Sequence, residues 1–82
     1  MDEQNKKALL IKFGNGLRNL RSDTGLSQEE LAERADIDRS YLGGIERGEH
    51  NLALINIIKI ANALGVYPHQ LLEIFAEPQD ER

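Results

Sequence analysis

Along this chain apolar residues recur at spacings of three and four in a series of stretches, separated by short polar or glycine-containing breaks. That is the period of α-helices that each bury one face. From about residue 6 to 22, Leu9 or Leu10, Phe13, Leu17 and Leu20 make one stripe. Gly14 and Gly16 interrupt it. Each costs roughly 0.5–1 kcal/mol against alanine in a helix, so either a neighbour packs close there or the helix frays. Gly25 is a left-handed C-terminal residue, and Ser27 with Glu30 forms a capping box that opens the next helix. Residues 28–47 read as two short helices joined by a tight turn. Leu31 and Ala35 share a face on the first, Leu42 and Ile45 on the second. Ile37 lies in the turn, and Ala32 falls where the helices cross and only a small side chain fits. Asp38 is the expected N-cap of the third helix, and Gly48 follows its end. A fourth helix is predicted over 54–64, with Leu54, Ile57, Ile58, Ala61 and Leu64 toward the core and Gly65 as its stop. Pro68 suits the first turn of a fifth, whose apolar face is Leu71, Leu72 and Phe75. The predicted fold class is all-α, with five helices in a single domain over residues 1–82 and a core over about 6–76. The end of the chain, 77–82 with Pro78, is expected to be disordered.

The unit over 28–47 carries function as well as fold. Two short helices at this spacing form a helix-turn-helix, which presents its second helix to a DNA major groove. The match extends outward, through LRNLR before it, GLSQEELA opening it, IERG closing it and LINIIKIANALGV after it. Over roughly Phe13 to Leu72 the chain resembles the Cro/C1-type (Xre) family of bacterial and phage regulators. DRSYLGGIERG followed by Asn51 is similar to the small controller proteins of restriction–modification systems. The resemblance implies a compact, lambda-repressor-like domain. It implies a positive φ at Asp36, where many relatives have Gly, and a salt bridge between Arg21 and Glu46 joining the first helix to the third. Two positions depart from the family pattern. Ala53 stands where a capping Ser is common, so the fourth helix loses a side-chain cap. Tyr67 stands where Ser or Thr is common, and it is expected to cover the core edge or, as the second choice, join a dimer contact.

Composition narrows the picture. The 82 residues include no Cys, so neither disulfides nor thiolate metal sites stabilise the domain. No run is long and apolar enough to span a membrane or serve as a signal segment, so a cytoplasmic protein is expected. Neither His50 nor His69 has a ligand partner at metal spacing, so no cofactor is expected, and no small-molecule ligand. The chain lacks a nucleophile in triad context and a phosphate-binding glycine loop, which argues against an enzyme. The net charge of −4 argues against a generic basic DNA binder. Its distribution softens that objection: residues 1–21 carry net +3 and residues 22–49 net −5. Binding must therefore rely on specific contacts.

Those contacts have candidates. Gln28 opens the second helix, where its amide and the exposed backbone N–H groups can hold one phosphate, and the family uses a Gln at the matching position. Arg39, Ser40 and Tyr41 open the third helix and are expected to reach bases. Arg39 has the fork that matches guanine O6 and N7. Arg47 completes the base-reading set. Gly43 and Gly44, in mid-helix, either let bare backbone sit deep in the groove or serve close packing. Asn51 is a phosphate contact by resemblance, and Lys12 and Arg18 are candidates for outer phosphates.

The expected function is a sequence-specific transcriptional regulator. It would act as a homodimer on a pseudo-palindromic double-stranded DNA operator, with Val66, Tyr67, Leu71, Leu72 and Phe75 at the two-fold interface. RNA polymerase is a further candidate partner. The acidity keeps an alternative open, a protein-interaction module of antitoxin-like or polymerase-binding type. An electropositive face containing Gln28, Arg39, Arg47 and Asn51 would favour DNA.

Overall fold

The structure, a computed structural model, describes residues 1–76. The expectation of disorder over 77–82 lies outside the described residues. Helix α1 spans Glu3–Asp23, α2 Gln28–Ala35, α3 Arg39–Glu46, α4 Leu54–Leu64 and α5 Pro68–Leu72, followed by a 3₁₀ turn over Glu73–Phe75. The described residues contain no strand, in accord with the predicted all-α class. Helix α1 begins earlier than the apolar stripe suggests. Asp2 caps it by accepting from the Asn5 amide at 2.8 Å, so a polar first turn is held without burial.

The fully buried side chains Leu17, Leu31, Leu42, Ile45, Ile60 and Leu71 come from all five helices and meet in one core. Helix α2 packs on α3 and α4, α1 on α3, and α4 on α5. Gly14 explains how close α1 and α3 come. A Cβ built there would lie 2.5 Å from the carbonyl oxygens of both Ile45 and Glu46. The glycine cost in α1 therefore brings a backbone-to-backbone approach, not a frayed helix. Gly16 likewise packs under the side chain of Ile74.

The core corrects three expectations. Leu54 is 69% exposed, while Ile60, which the predicted face omitted, is fully buried. Helix α4 is apolar on most sides, so its pattern alone does not say which side turns inward, and Leu54 is its first residue, at the open end. Leu71 is fully buried within its own chain, which removes it from the expected interface. Tyr67 is 72% exposed and does not cover the core edge. It stacks on His69 with ring centroids 5.9 Å apart. No side chain caps α4 at Ala53, as expected. At α5, Gln70 reaches back to accept from the Tyr67 amide at 2.7 Å.

Candidate nucleic-acid interface

The local rules that start α2 and α3 also aim them. Ser27 Oγ accepts from the Glu30 amide at 3.0 Å, and Glu30 Oε1 accepts from the Ser27 amide at 2.9 Å. The Ser27 backbone N–H, and after it the Ser27 hydroxyl, hold the Glu30 carboxyl below its usual range. With the helix end satisfied this way, Gln28 stands as the first residue of α2. Asp36 adopts φ 58°, the left-handed turn implied by the resemblance. The Ile37 amide then closes onto Ala32 O at 3.0 Å, and the chain reverses into α3. Asp38 occupies the N-cap position without a side-chain cap bond.

Helix α3 has two unlike sides. Leu42, Ile45 and Glu46 face inward, while Arg39, Ser40 and Arg47 are exposed. Residues 39, 43 and 47 are spaced by four and share one face. Gly43 lies at its middle. Arg47, the C-cap residue, folds back along this face. A Cβ at Gly43 would sit 3.2 Å from Arg47 Nη1 and 3.5 Å from Gln28 Oε1. The structure therefore brings Gln28, Arg39, Ser40 and Arg47 to one surface. Gly43 is covered by the ends of Arg47 and Gln28 and does not present bare backbone. Gly44 sits beneath the ring of His50, which a Cβ would meet at 2.5 Å.

Tyr41 stands at the margin of this face. It is half-buried, its ring lies 5.0 Å from that of His50, and its hydroxyl accepts from Asn56 Nδ2 at 3.1 Å. Asn51 is exposed beyond α3, in a groove it lines with Lys6, Lys7, Arg47 and Glu49. Arg18 is half exposed, with Nε 3.6 Å from Glu46 Oε1. Lys12 is half-buried on α1.

Behind the face, Glu46 is 1% exposed and gathers three helices. Arg21 Nε donates to its Oε2 at 2.7 Å and Arg21 Nη2 to its Oε1 at 3.0 Å. The Arg21–Glu46 bridge implied by the resemblance is thus present as a two-bonded fork. Gln28 Nε2 donates to the same carboxylate at 2.9 Å, and Arg21 Nη1 also donates to Leu26 O at 2.9 Å. Burial alone would raise the Glu46 carboxyl. The hydrogen bonds from Arg21 and Gln28, with the charges of Arg21 and Arg18, outweigh it and hold the group below the usual carboxylate range. Sequence reasoning gave Gln28 only a phosphate role and missed this tie.

It also missed Glu49, whose Oε2 and Oε1 accept from Arg47 Nε at 2.9 Å and Arg47 Nη2 at 3.1 Å. A spacing of two is not a helical pair. The residues meet only because the chain leaves α3 through Gly48 at φ 80°. Two carboxylates beside Gln28 and Arg47, Glu46 and Glu49, are thus paired with arginine, and the net acidity of 22–49 overstates what a phosphate would meet there. Among the described residues, no cluster of His, Cys, Asp or Glu could hold a metal ion, and no helix is long and apolar enough to cross a membrane.

Comparison with known proteins identifies the family and the fold. A helix-turn-helix family model matches residues 17–71, well over half of the chain. The control protein C.MunI of a Mycoplasma species is 43% identical over 72 residues, covering 87% of this chain and 93% of that protein. The control protein C.BamHI of Bacillus amyloliquefaciens is 48% identical over 64 residues, covering 77% and 79%. The crystal structure of the restriction–modification controller C.AhdI from Aeromonas hydrophila superposes with a TM-score of 0.77 at 55% identity, covering 78% of this chain and 97% of that one.

Proposed function

This chain belongs to the Cro/C1-type helix-turn-helix family of DNA-binding transcriptional regulators, close to restriction–modification controllers, and from that premise we propose that it acts as a homodimer on a pseudo-palindromic operator in the cytoplasm. One α3 per subunit enters each of two successive major grooves, about 34 Å apart. The observation that carries this reading is the exposed surface of α3. Arg39 and Ser40 open it, Arg47 closes it, and Gln28 flanks it at the start of α2.

Arg39 reads a guanine edge, Ser40 an adjacent base, and Gln28 together with the first amides of α2 takes a phosphate. Gln28 keeps one amide hydrogen for this after bonding Glu46. Tyr41, from the margin, retains its own hydroxyl proton to donate while accepting from Asn56. Asn51, Lys12 and Arg18 are proposed for flanking phosphates.

Two subunits are needed because a small acidic domain gains specificity by reading two half-sites at once. Exposed apolar side chains are available for the contact. Tyr67, Leu72 and Phe75 are 72%, 51% and 36% exposed, and Leu54 and Ile55 on α4 add to them. Phe75 also stacks on Phe13 with centroids 6.0 Å apart, so it caps the core with one side and leaves the other open. Val66 is half-buried at the edge of this region.

Selection of duplexes from a random pool, with sedimentation of the complex, tests the proposal. A symmetric consensus bound by two copies is expected. Arg39→Ala should weaken the consensus complex by about 1–3 kcal/mol and relax one position. Recovery of no consensus would end the DNA-reading proposal, and a single bound copy would end the two-fold one.

A further inference from the structure

Arg47 and Glu49 form an ion pair on the open surface, where side chains of this length ordinarily move freely, yet three features fix it in place. The Glu49 amide donates to Gly44 O at 2.9 Å and the Gly48 amide to Ile45 O at 3.0 Å, so the backbone under the carboxylate is tied to α3. Gly48 is seated against α1, with the Ile11 backbone nitrogen 2.8 Å from where a Cβ would stand. Gly43 supplies the space over which the guanidinium lies.

The fork with Glu49 uses Nε–H and one hydrogen of Nη2. A guanidinium has five N–H donors. The opposite edge, formed by Nη1 and the second hydrogen of Nη2, makes no hydrogen bond to the described residues, and Nη1 is its end nearest Gly43 and Gln28. That edge is itself a planar two-donor fork, the shape that matches guanine O6 and N7. An unsupported arginine would lose rotamer freedom when it docks. Here the fork with Glu49 takes up part of that loss in the free protein, as a preorganised contact does.

We propose that Glu49 is a positioning residue, which holds the Arg47 guanidinium beside Gly43 so that its Nη1–Nη2 edge reads a guanine in the major groove. The inference rests on the DNA-reading function above and deepens it. It assigns to Glu49 a favourable role that its charge alone would deny, since a carboxylate near phosphate lowers affinity for every duplex. The two effects separate by sequence dependence. Orientation of Arg47 concerns one base pair, whereas repulsion concerns all sequences and varies with salt.

The test uses the full chain and the duplex that the wild type selects from a random pool, with each base pair replaced in turn and an unrelated duplex as reference. Glu49→Ala is expected to bind the unrelated duplex as well as the wild type or better. It should lose discrimination at one G·C pair by roughly tenfold, within the range of a bidentate base contact. Arg47→Lys, which keeps the charge and loses the fork, should lose discrimination at the same pair with the salt slope unchanged. The double variant should lose no more there than either single one. Unchanged melting temperatures would separate this loss from damage to the fold. The inference is overturned if Glu49→Ala strengthens or weakens binding to all duplexes equally, or if Arg47→Lys discriminates like the wild type. Failure of the wild type to select any sequence would instead remove the function on which the inference rests, and the inference with it.

Discussion

Two arginine–glutamate forks of almost the same geometry lie on either side of α3. Arg21 meets Glu46 through Nε at 2.7 Å and Nη2 at 3.0 Å, and Arg47 meets Glu49 through the same atoms at 2.9 and 3.1 Å. Their surroundings differ. The side chains of the first pair are 14% and 0% exposed, those of the second 57% and 54%. Hydrogen-bond geometry therefore says little about what each pair does. Water competes for the outer pair and screens it, so it adds little to the fold and is free to serve an incoming ligand. The inner pair is largely shielded from solvent, so removing one member leaves a desolvated charge without its partner. The same chemistry is structural on one side of the helix and, in our reading, recognitional on the other.

The comparison breaks most directly by truncating each carboxylate. Glu46→Ala should destabilise the domain by about 3–5 kcal/mol, lowering the melting temperature by more than about 10 °C, whereas Glu49→Ala should leave it within error. Equal melting temperatures for the two variants would refute the distinction.

A second pair of positions sharpens it. Gly14 and Gly43 both lie inside helices under close neighbours, but a Cβ at Gly14 meets backbone carbonyls, while at Gly43 it meets only the far end of Arg47 and the amide of Gln28. Gly14→Ala should cost about 1–3 kcal/mol, as overpacking does. Gly43→Ala should stabilise by up to about 0.5–1 kcal/mol through helix propensity, while weakening operator discrimination. Urea unfolding of both variants, with binding measured for the second, checks opposite signs.

The smallest expected effect is a slope. Glu46 has its folded pKa depressed below the ordinary carboxylate value. Its stabilisation is therefore fully present above that ordinary value, about 4.3, and is lost as the pH falls through the folded one. The Glu49 carboxyl is also lowered, by hydrogen bonds from Arg47, but in solvent, where salt screens the charge. Stability followed from neutral pH into acid should fall less steeply for Glu46→Gln than for the wild type, and this difference should persist at high salt. Its disappearance in salt would place Glu46 with the exposed pair.

Much of the fold is legible because its signals are local. The Ser27–Glu30 capping box, the turn at Asp36 and the stop at Gly65 each act within a few residues, and the structure places α2 to α5 where they direct. The Arg21–Glu46 bridge, far apart in the chain, came through family resemblance and not through spacing. Arg39, Ser40 and Arg47 are legible as exposed positions of the helix-turn-helix, since helical period alone sorts outer from inner faces on so short a unit.

What sequence by itself determined, then, is the helical order, the turns between helices and the face that α3 turns outward, because backbone dihedrals and amphipathic period are near-neighbour properties. Tertiary structure decided which apolar residues are spent in the core, such as Ile60 and Leu71 and not Leu54. It also decided that α1 and α3 touch through Gly14, that Asn56 holds Tyr41, and that Glu49 faces Arg47. Each of these depends on where separate helices meet or how a loop docks on a third element. No period along the chain encodes that distance.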